Sequence, residues 1–317
     1  MITKDIGIAI NELNKNEIIA IPTETVYGLA GNAYNELALK RIFDLKKRPY
    51  YNPLIVHIKS IDFLNQVAKN IPSLAIKLAE VFWPGPLTLL LDKQSIIPDL
   101  VTSGKNTVAI RVPNHSLTLE LLNALPYPLA APSANPFGSI SPTRAEHVEE
   151  YFKEELPIIL NGGECARGIE STIIGFENGR PILYRHGSIT IEEIETVVGK
   201  VRLFVNAKKN PEAPGMLSKH YAPATTLHLA EDVNKLLSLF PNKKTGLLLF
   251  KEKKIDEIYF YQEILSENGD LNEAASKLYE ALYRLDKKKL DLIIAEKFPD
   301  KGLGKTINDR LERASKK

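Results

Sequence analysis

The chain has a single cysteine, Cys165, in 317 residues. One thiol can close no internal disulfide and build no thiolate cluster around zinc. The usual nucleotide loops are also missing: there is no GxxxxGK[ST] run and no GxGxxG after a strand. Gly302-Leu303-Gly304-Lys305 comes late, lacks the earlier glycine and reads as a helix-entry turn. No apolar run reaches the roughly 18 residues of a membrane span. The N-terminus carries no long apolar stretch followed by a small-residue cleavage site, so the expected location is the cytoplasm. Charge of one sign is scarce too. Forty-one basic residues face thirty-nine acidic ones, a formal charge of +2. That excludes a nucleic-acid binder working by bulk electrostatics; any RNA contact would be local.

What is present is an ordinary globular composition, 44% apolar and 25% charged, in a chain long enough for two domains. Strand and helix signals alternate. EIIAI (17–21) is a β-type run leading into PTETVYG. ELALKRIFDLKKR (36–48) has a helical apolar face of Leu37, Leu39, Ile42, Phe43 and Leu45, a basic end that suits the helix dipole, and Pro49 as a stop. LIVHI (54–58), LTLLLD (87–92), TVAIRV (107–112) and PLAA (128–131) read as strands, with helices near 61–69 and 73–82. STIIGFENGRPILYRHG (171–187) reads as a hairpin turning at Glu177-Asn178-Gly179-Arg180.

After about Val205 the pattern changes. NAKKNPEAPGMLSKHYAPAT holds three prolines and little periodicity, as an extended linker would. Beyond it come LHLA, a helix over 231–239, TGLLLF, KIDEIYFY, a helix over 271–286, LDLIIAE and a C-terminal helix. Strands alternating with helices predict a smaller, Rossmann-like parallel sheet.

Four segments carry candidate chemistry. In KKRPYYNPLIVH (46–57), Lys46, Lys47 and Arg48 with Asn52 could form a polyphosphate fork, or simply a solvated helix end. His57, inside an apolar run, reads as a satisfied core histidine. Arg111 sits mid-strand in TVAIRVP, where an unpaired charge is costly; its anion could come from the protein or from a substrate. APSANPFGSISPT (131–143) offers Ser133, Asn135, Ser139 and Ser141 as donors to phosphate or ribose, stiffened by Pro132, Pro136 and Pro142. The same stretch predicts a helix opening at Ser141-Pro142-Thr143. In NGGECARGIESTII (161–174), Gly162, Gly163 and Gly168 permit close backbone approach, and Ser171 and Thr172 present hydroxyls. Cys165 has no evident partner base and reads as incidental.

Taken in order, IPTETVYGL (21–29), KKRPYYNPLIVH, FWPGPLT (82–88), TVAIRVP, APSANPFGSISPTRAEHV, GIESTII (168–174), ILYRHG (182–187) and APGMLSKHYAP (213–223) resemble the YrdC-type threonylcarbamoyl-AMP synthases. The likeness is to their long form, and it covers about residues 5–225 by motif. It implies a twisted mixed-sheet α/β domain with a concave groove over 1–205, a linker or lid over 206–223 and the Rossmann-like domain over 224–317. By resemblance, Lys46, Arg48, Asn52, Thr107, Ser133, Asn135, Ser141, Arg185 and Tyr221 would bind ATP, with Lys46 and Arg48 catalytic. Thr25, His57, Arg111, Ala131 and Ser171 would form the threonine site, Arg111 taking the carboxylate.

The implied reaction joins L-threonine, bicarbonate and ATP into threonylcarbamoyl-AMP and pyrophosphate, with Mg2+. The product would pass to a tRNA threonylcarbamoyltransferase for N6-threonylcarbamoyladenosine formation beside the anticodon; direct tRNA contact stays open, and no membrane is involved. Two rival readings share the core. An RNA-binding module is disfavoured because basic residues are not interleaved with aromatics. A carbamoyltransferase of the hydrogenase-maturation type would add zinc-finger segments, which one cysteine excludes.

Overall fold

The computed structural model describes residues 1–204, 211–217, 220–252 and 261–316. Residue 205, parts of the expected lid (206–210 and 218–219), and 253–260, which hold most of the KIDEIYFY run, lie outside them.

The apolar runs of the first two-thirds become one large mixed sheet. Its strand order is Ile2–Thr3, Ile159–Leu160, Ile19–Ile21, Gly28–Asn32, Leu129–Ala130, Ile55–His57, Thr107–Arg111, Leu87–Lys93, Thr172–Glu177, Arg180–Arg185 and Arg202–Leu203. Ile55–His57 runs parallel to Thr107–Arg111 and puts His57 opposite Arg111. Leu87–Lys93 pairs antiparallel with Thr107–Arg111 and parallel with Thr172–Glu177. The sheet is therefore mixed, as expected, and at its centre residues 55–57, 87–91 and 108–111 are buried. The hairpin turns through Asn178 (φ 51°) and Gly179 (φ 73°), two left-handed residues of the kind a tight hairpin requires.

Local chemistry places the cationic segment. The Asn35 side chain accepts from the backbone of Leu37 and Ala38 and starts the helix Glu36–Lys46. Lys47 ends it in the left-handed conformation (φ 52°), two residues before Pro49. The turn drives Lys46 and Arg48 inward, to 1% and 6% exposure. The solvated-helix-end alternative is thereby corrected.

Two other expectations need correcting. The helix after the 131–143 segment begins at Ala145, and its N-cap Arg144 makes no side-chain capping bond. The Ser141 hydroxyl instead donates to Glu170 at 2.7 Å. The stretch 61–69 is a 3-10 turn (Ile61–Phe63) and one helical turn (Leu64–Val67), because Ala68 and Lys69 pair as a strand with Lys93 and Asp92.

The second sheet, Leu227–Ala230, Leu292–Glu296, Thr245–Leu249 and Tyr261–Ile264, is parallel throughout. The helix Leu271–Asp286 falls on the span read from the sequence. Gly302 (φ 50°) opens the helix Leu303–Ala314, as the GLGK turn predicted. These two helices do not stop at their own domain. Leu278, Tyr279, Leu282 and Leu311 share one apolar cluster with Val26, Ile140, Ile169 and Tyr221 from the earlier part of the chain. Among the described residues no helix is long and apolar enough to cross a membrane.

Candidate active site

A cavity opens where the strand ends His57 and Arg111 meet the loops after Ile21, after Ala130 and before Thr172. It is lined by Thr25, Arg48, His57, Arg111, Ala131, Ser133, Ser171, Arg185 and Tyr221, all expected from the sequence. Thr23, Val26, Gly28, Ile55, Pro132, Glu170, Pro214, Gly215 and His220 complete the wall.

Arg111 is held on three sides. Its Nε donates to the Gly85 carbonyl at 3.1 Å and Nη1 to the Thr25 hydroxyl at 2.9 Å. Nη2 forms an ion pair with Glu24 at 2.6 Å, both side chains below 10% exposure. Of the two anion sources left open by the sequence, the protein supplies one. Arg185 reaches from the hairpin end, donating through Nη2 to the Ser171 carbonyl (2.7 Å) and hydroxyl (3.0 Å), and through Nη1 to the Pro214 carbonyl at 3.2 Å. Arg48 donates to the carbonyls of Asn52 (3.0 Å) and Pro53 (2.7 Å).

The linker closes this space. Ala222 N donates to the Gly138 carbonyl at 2.8 Å, tying the linker to the 131–143 loop. Tyr221 adopts φ 66° and is 1% exposed. Gly215 (φ 78°) leaves room for it: a Cβ there would stand 2.8 Å from the Tyr221 hydroxyl. About 50 Å³ remains free inside, whereas ligand pockets usually offer about 300–1,000 Å³. A nucleotide could enter only after this segment moves.

Cations dominate the electrostatics. Burial, with help from Arg48, puts the Lys46 ammonium well below its ordinary range. Burial lowers Arg48 to about 9, the Tyr221 hydroxyl opposing and Arg185 reinforcing the shift. His57 is pushed down to about 3 by burial and by Arg111, so it is neutral at physiological pH. His220 is lowered by burial and by Arg48, Lys46, Arg310 and Arg185. Burial alone would raise Glu170, but Arg310, Arg185 and the Ser141 hydrogen bond outweigh it and hold the carboxyl below its usual value. The result is a buried, positive cavity that suits a multiply charged anion.

Five expected residues do not line it. Lys46 lies behind the wall and donates to the carbonyls of Ser133 (2.5 Å) and Asn135, shaping that loop. Asn135 donates to the carbonyls of Pro136 and Ser139, both at 2.9 Å. Asn52 is fully buried, and its carboxamide has no partner among the described residues. Ser141 is engaged with Glu170. Thr107 pairs with Asp92, at the end of its strand ~13 Å from Arg111. Cys165 is buried and its thiol is raised by burial, consistent with an incidental role.

Sequence reasoning missed Glu24 and Glu170, although both stand inside quoted motifs. The available signal was a carboxylate beside a hydroxyl residue, Thr23 and Thr25 for Glu24 and Ser171 for Glu170.

A family profile described as Sua5, YciO and YrdC, telomere recombination, matches residues 11–187. A second, described as the C-terminal domain of threonylcarbamoyl-AMP synthase, matches residues 189–316. The threonylcarbamoyl-AMP synthase of Bacillus subtilis is 40% identical over 313 residues, 96% of this chain and 90% of that one. The crystal structure of Pyrococcus abyssi Sua5 complexed with L-threonine is 40% identical, with a TM-score of 0.90, covering 98% of this chain and 94% of that one. Full-length HypF shares only the fold, at 18% identity and TM-score 0.52 over 57% of this chain.

Proposed function

Because this chain belongs to the threonylcarbamoyl-AMP synthase family in its two-domain form, we propose that its cavity condenses L-threonine, bicarbonate and ATP. The supporting observation is the convergence of Arg48, Arg111, Arg185, Ser133 and Ser171 on one buried, cationic space. We divide the chain into a catalytic domain to residue 205, a lid over 206–223 and a C-terminal domain from 224.

Arg48, Arg185, Ser133 and Tyr221 face the nucleotide, and Asn52, Thr107, Asn135 and Ser141 lend support from the second rank. Lys46 acts with Arg48 on the phosphates, releasing the carbonyls of Ser133 and Asn135 as it turns. Thr25, His57, Arg111, Ala131 and Ser171 hold L-threonine, whose carboxylate shares the Arg111 guanidinium with Glu24.

The threonine amine adds to CO2 derived from bicarbonate and loses a proton, giving a carbamate. A carbamate oxygen then bonds to the α-phosphorus of ATP, and the bond from that phosphorus to the bridging β-phosphate oxygen breaks. Pyrophosphate carries away the electron pair, leaving threonylcarbamoyl-AMP. The buried cations stabilise charge on the phosphates, and alignment supplies much of the remaining acceleration. Closure of the linker keeps water from the mixed anhydride.

Magnesium arrives as the companion of ATP. Among the described residues no three acidic, histidine or cysteine side chains are grouped to hold a metal. Glu24 and Glu170 are each committed to an arginine. The described residues do not build a resident metal site. The adenylate then serves N6-threonylcarbamoyladenosine formation in tRNA, passing to a downstream transferase.

The test is pyrophosphate release from ATP, labelled bicarbonate and L-threonine. Release should require all three; release without threonine would sink the reading.

A further inference from the structure

The helix Leu303–Ala314 has two working faces. Leu303, Ile307, Leu311 and Ala314 turn into the apolar cluster of the C-terminal region. Thr306, Arg310 and Arg313, spaced four and three apart, face the earlier part of the chain. Thr306 donates to the Gly187 carbonyl at 3.0 Å, and Arg313 Nη1 to the Leu217 carbonyl at 2.5 Å.

Between them Arg310 is 1% exposed. Its Nε donates to Glu170 Oε2 at 2.8 Å, Nη2 to the His186 carbonyl at 2.7 Å, and Nη1 to Asp309 at 2.5 Å. Its guanidinium carbon lies 4.8 Å from the centroid of the Tyr221 ring. Tyr279, on the neighbouring helix, donates to Glu170 at 2.9 Å and stacks on Tyr221 with centroids 5.9 Å apart.

Glu170 lines the cavity beside Ser171 and Arg185. Left alone, its buried carboxylate would be expensive and would repel an entering polyphosphate. Arg310 does not itself line the cavity, so its effect on a ligand runs through the two residues it holds.

We infer that Arg310, supplied by the C-terminal domain, is a positioning residue of the nucleotide site: it cancels the Glu170 charge at the cavity wall and props the Tyr221 ring over the opening. This rests on the cavity being the ATP site, as proposed above.

The test uses the full-length chain as wild type, Arg310→Met, and Arg310→Met combined with Glu170→Gln. ATP KM, threonine KM, kcat, loss of the adenylate to hydrolysis and melting temperature are read on the same samples. In Arg310→Met the ATP KM should rise about tenfold or more, as expected for one uncompensated charge near a polyanion. Its threonine KM should stay within about twofold. In the double variant both charges vanish, so the ATP KM should return to within about threefold of wild type. Hydrolytic loss should stay high there, because Tyr221 keeps its Tyr279 stack but loses the guanidinium that holds its other contact.

A folded Arg310→Met with unchanged ATP KM overturns the inference, as does a double variant no better than the single. Should Arg310→Met alone fail to fold, wild-type ATP KM with raised hydrolytic loss in the double variant supports the inference; a raised ATP KM or wild-type hydrolytic loss there overturns it. A wild-type chain that releases no pyrophosphate would instead sink the ATP reading, and this inference with it.

Discussion

Arg111 and Glu24 meet at 2.6 Å with both side chains almost entirely out of water. A substrate carboxylate at this point would find a guanidinium already fixed in place, with its Nε and Nη1 held by Gly85 and Thr25. Arg111→Ala should therefore raise the threonine KM on the order of a hundredfold, while the ATP KM changes by less than about threefold. Initial-rate kinetics with each substrate varied in turn would check this. Equal effects on both would argue against the carboxylate role.

Tyr221 closes the cavity at 1% exposure. Replacing it with alanine should leave ATP binding partly intact, while more of the adenylate is lost to water than in wild type. Measuring AMP formed per pyrophosphate released, without an acceptor, reads this directly. A ratio unchanged from wild type would remove the sheltering role.

Lys46 is tied to the carbonyls of Ser133 and Asn135. Lys46→Met would strand two buried acceptors, at about 1–3 kcal/mol each. Urea unfolding should show that loss, and ATP saturation should weaken as well, because the proposed reaction turns Lys46 onto the phosphates. ATP saturation unchanged from wild type would remove that role.

His57 titrates near 3 when folded because of burial and the adjacent Arg111, against about 6.5 when unfolded. The unfolded chain thus binds the extra proton first. Its contribution to stability is complete above about pH 6.5 and is lost as pH falls towards 3. Melting temperature should drop more steeply between about pH 6.5 and 4.5 in wild type than in His57→Gln. Parallel curves would refute the assignment.

Gly168 (φ 66°) packs against the backbone of Ser276, and a Cβ there would sit 2.1 Å from the Ser276 carbonyl oxygen. Gly168→Ala should force the Leu271–Asp286 helix away and destabilise the chain by several kcal/mol. Chemical denaturation would show it; a wild-type midpoint would mean that the contact yields cheaply.

Much of this was legible in the residues. Continuous runs such as LTLLLD could only be buried strands, and Asn178-Gly179 could hardly be anything but a hairpin turn. The convergence of Arg48, Arg111, Arg185 and Ser133 was implied by the family resemblance that the motifs in series carry. Hidden were the facts that depend on distant partners. Nothing near Lys46 says that its ammonium will meet carbonyls from 133 and 135. Capping chemistry misled at Ser141, because a buried carboxylate 29 residues later competes for its hydroxyl. Arg310 sits in a polar C-terminal helix whose periodicity reports only its own core.

Glu170 and the arginine that balances it are 140 positions apart. On the ribosome, the large sheet is synthesised long before that counter-ion exists. The nascent chain carries Glu170 without that partner until the helix Leu303–Ala314 has emerged. A chain stopped before that helix keeps every motif of the large sheet and lacks the guanidinium that Glu170 meets in the folded protein.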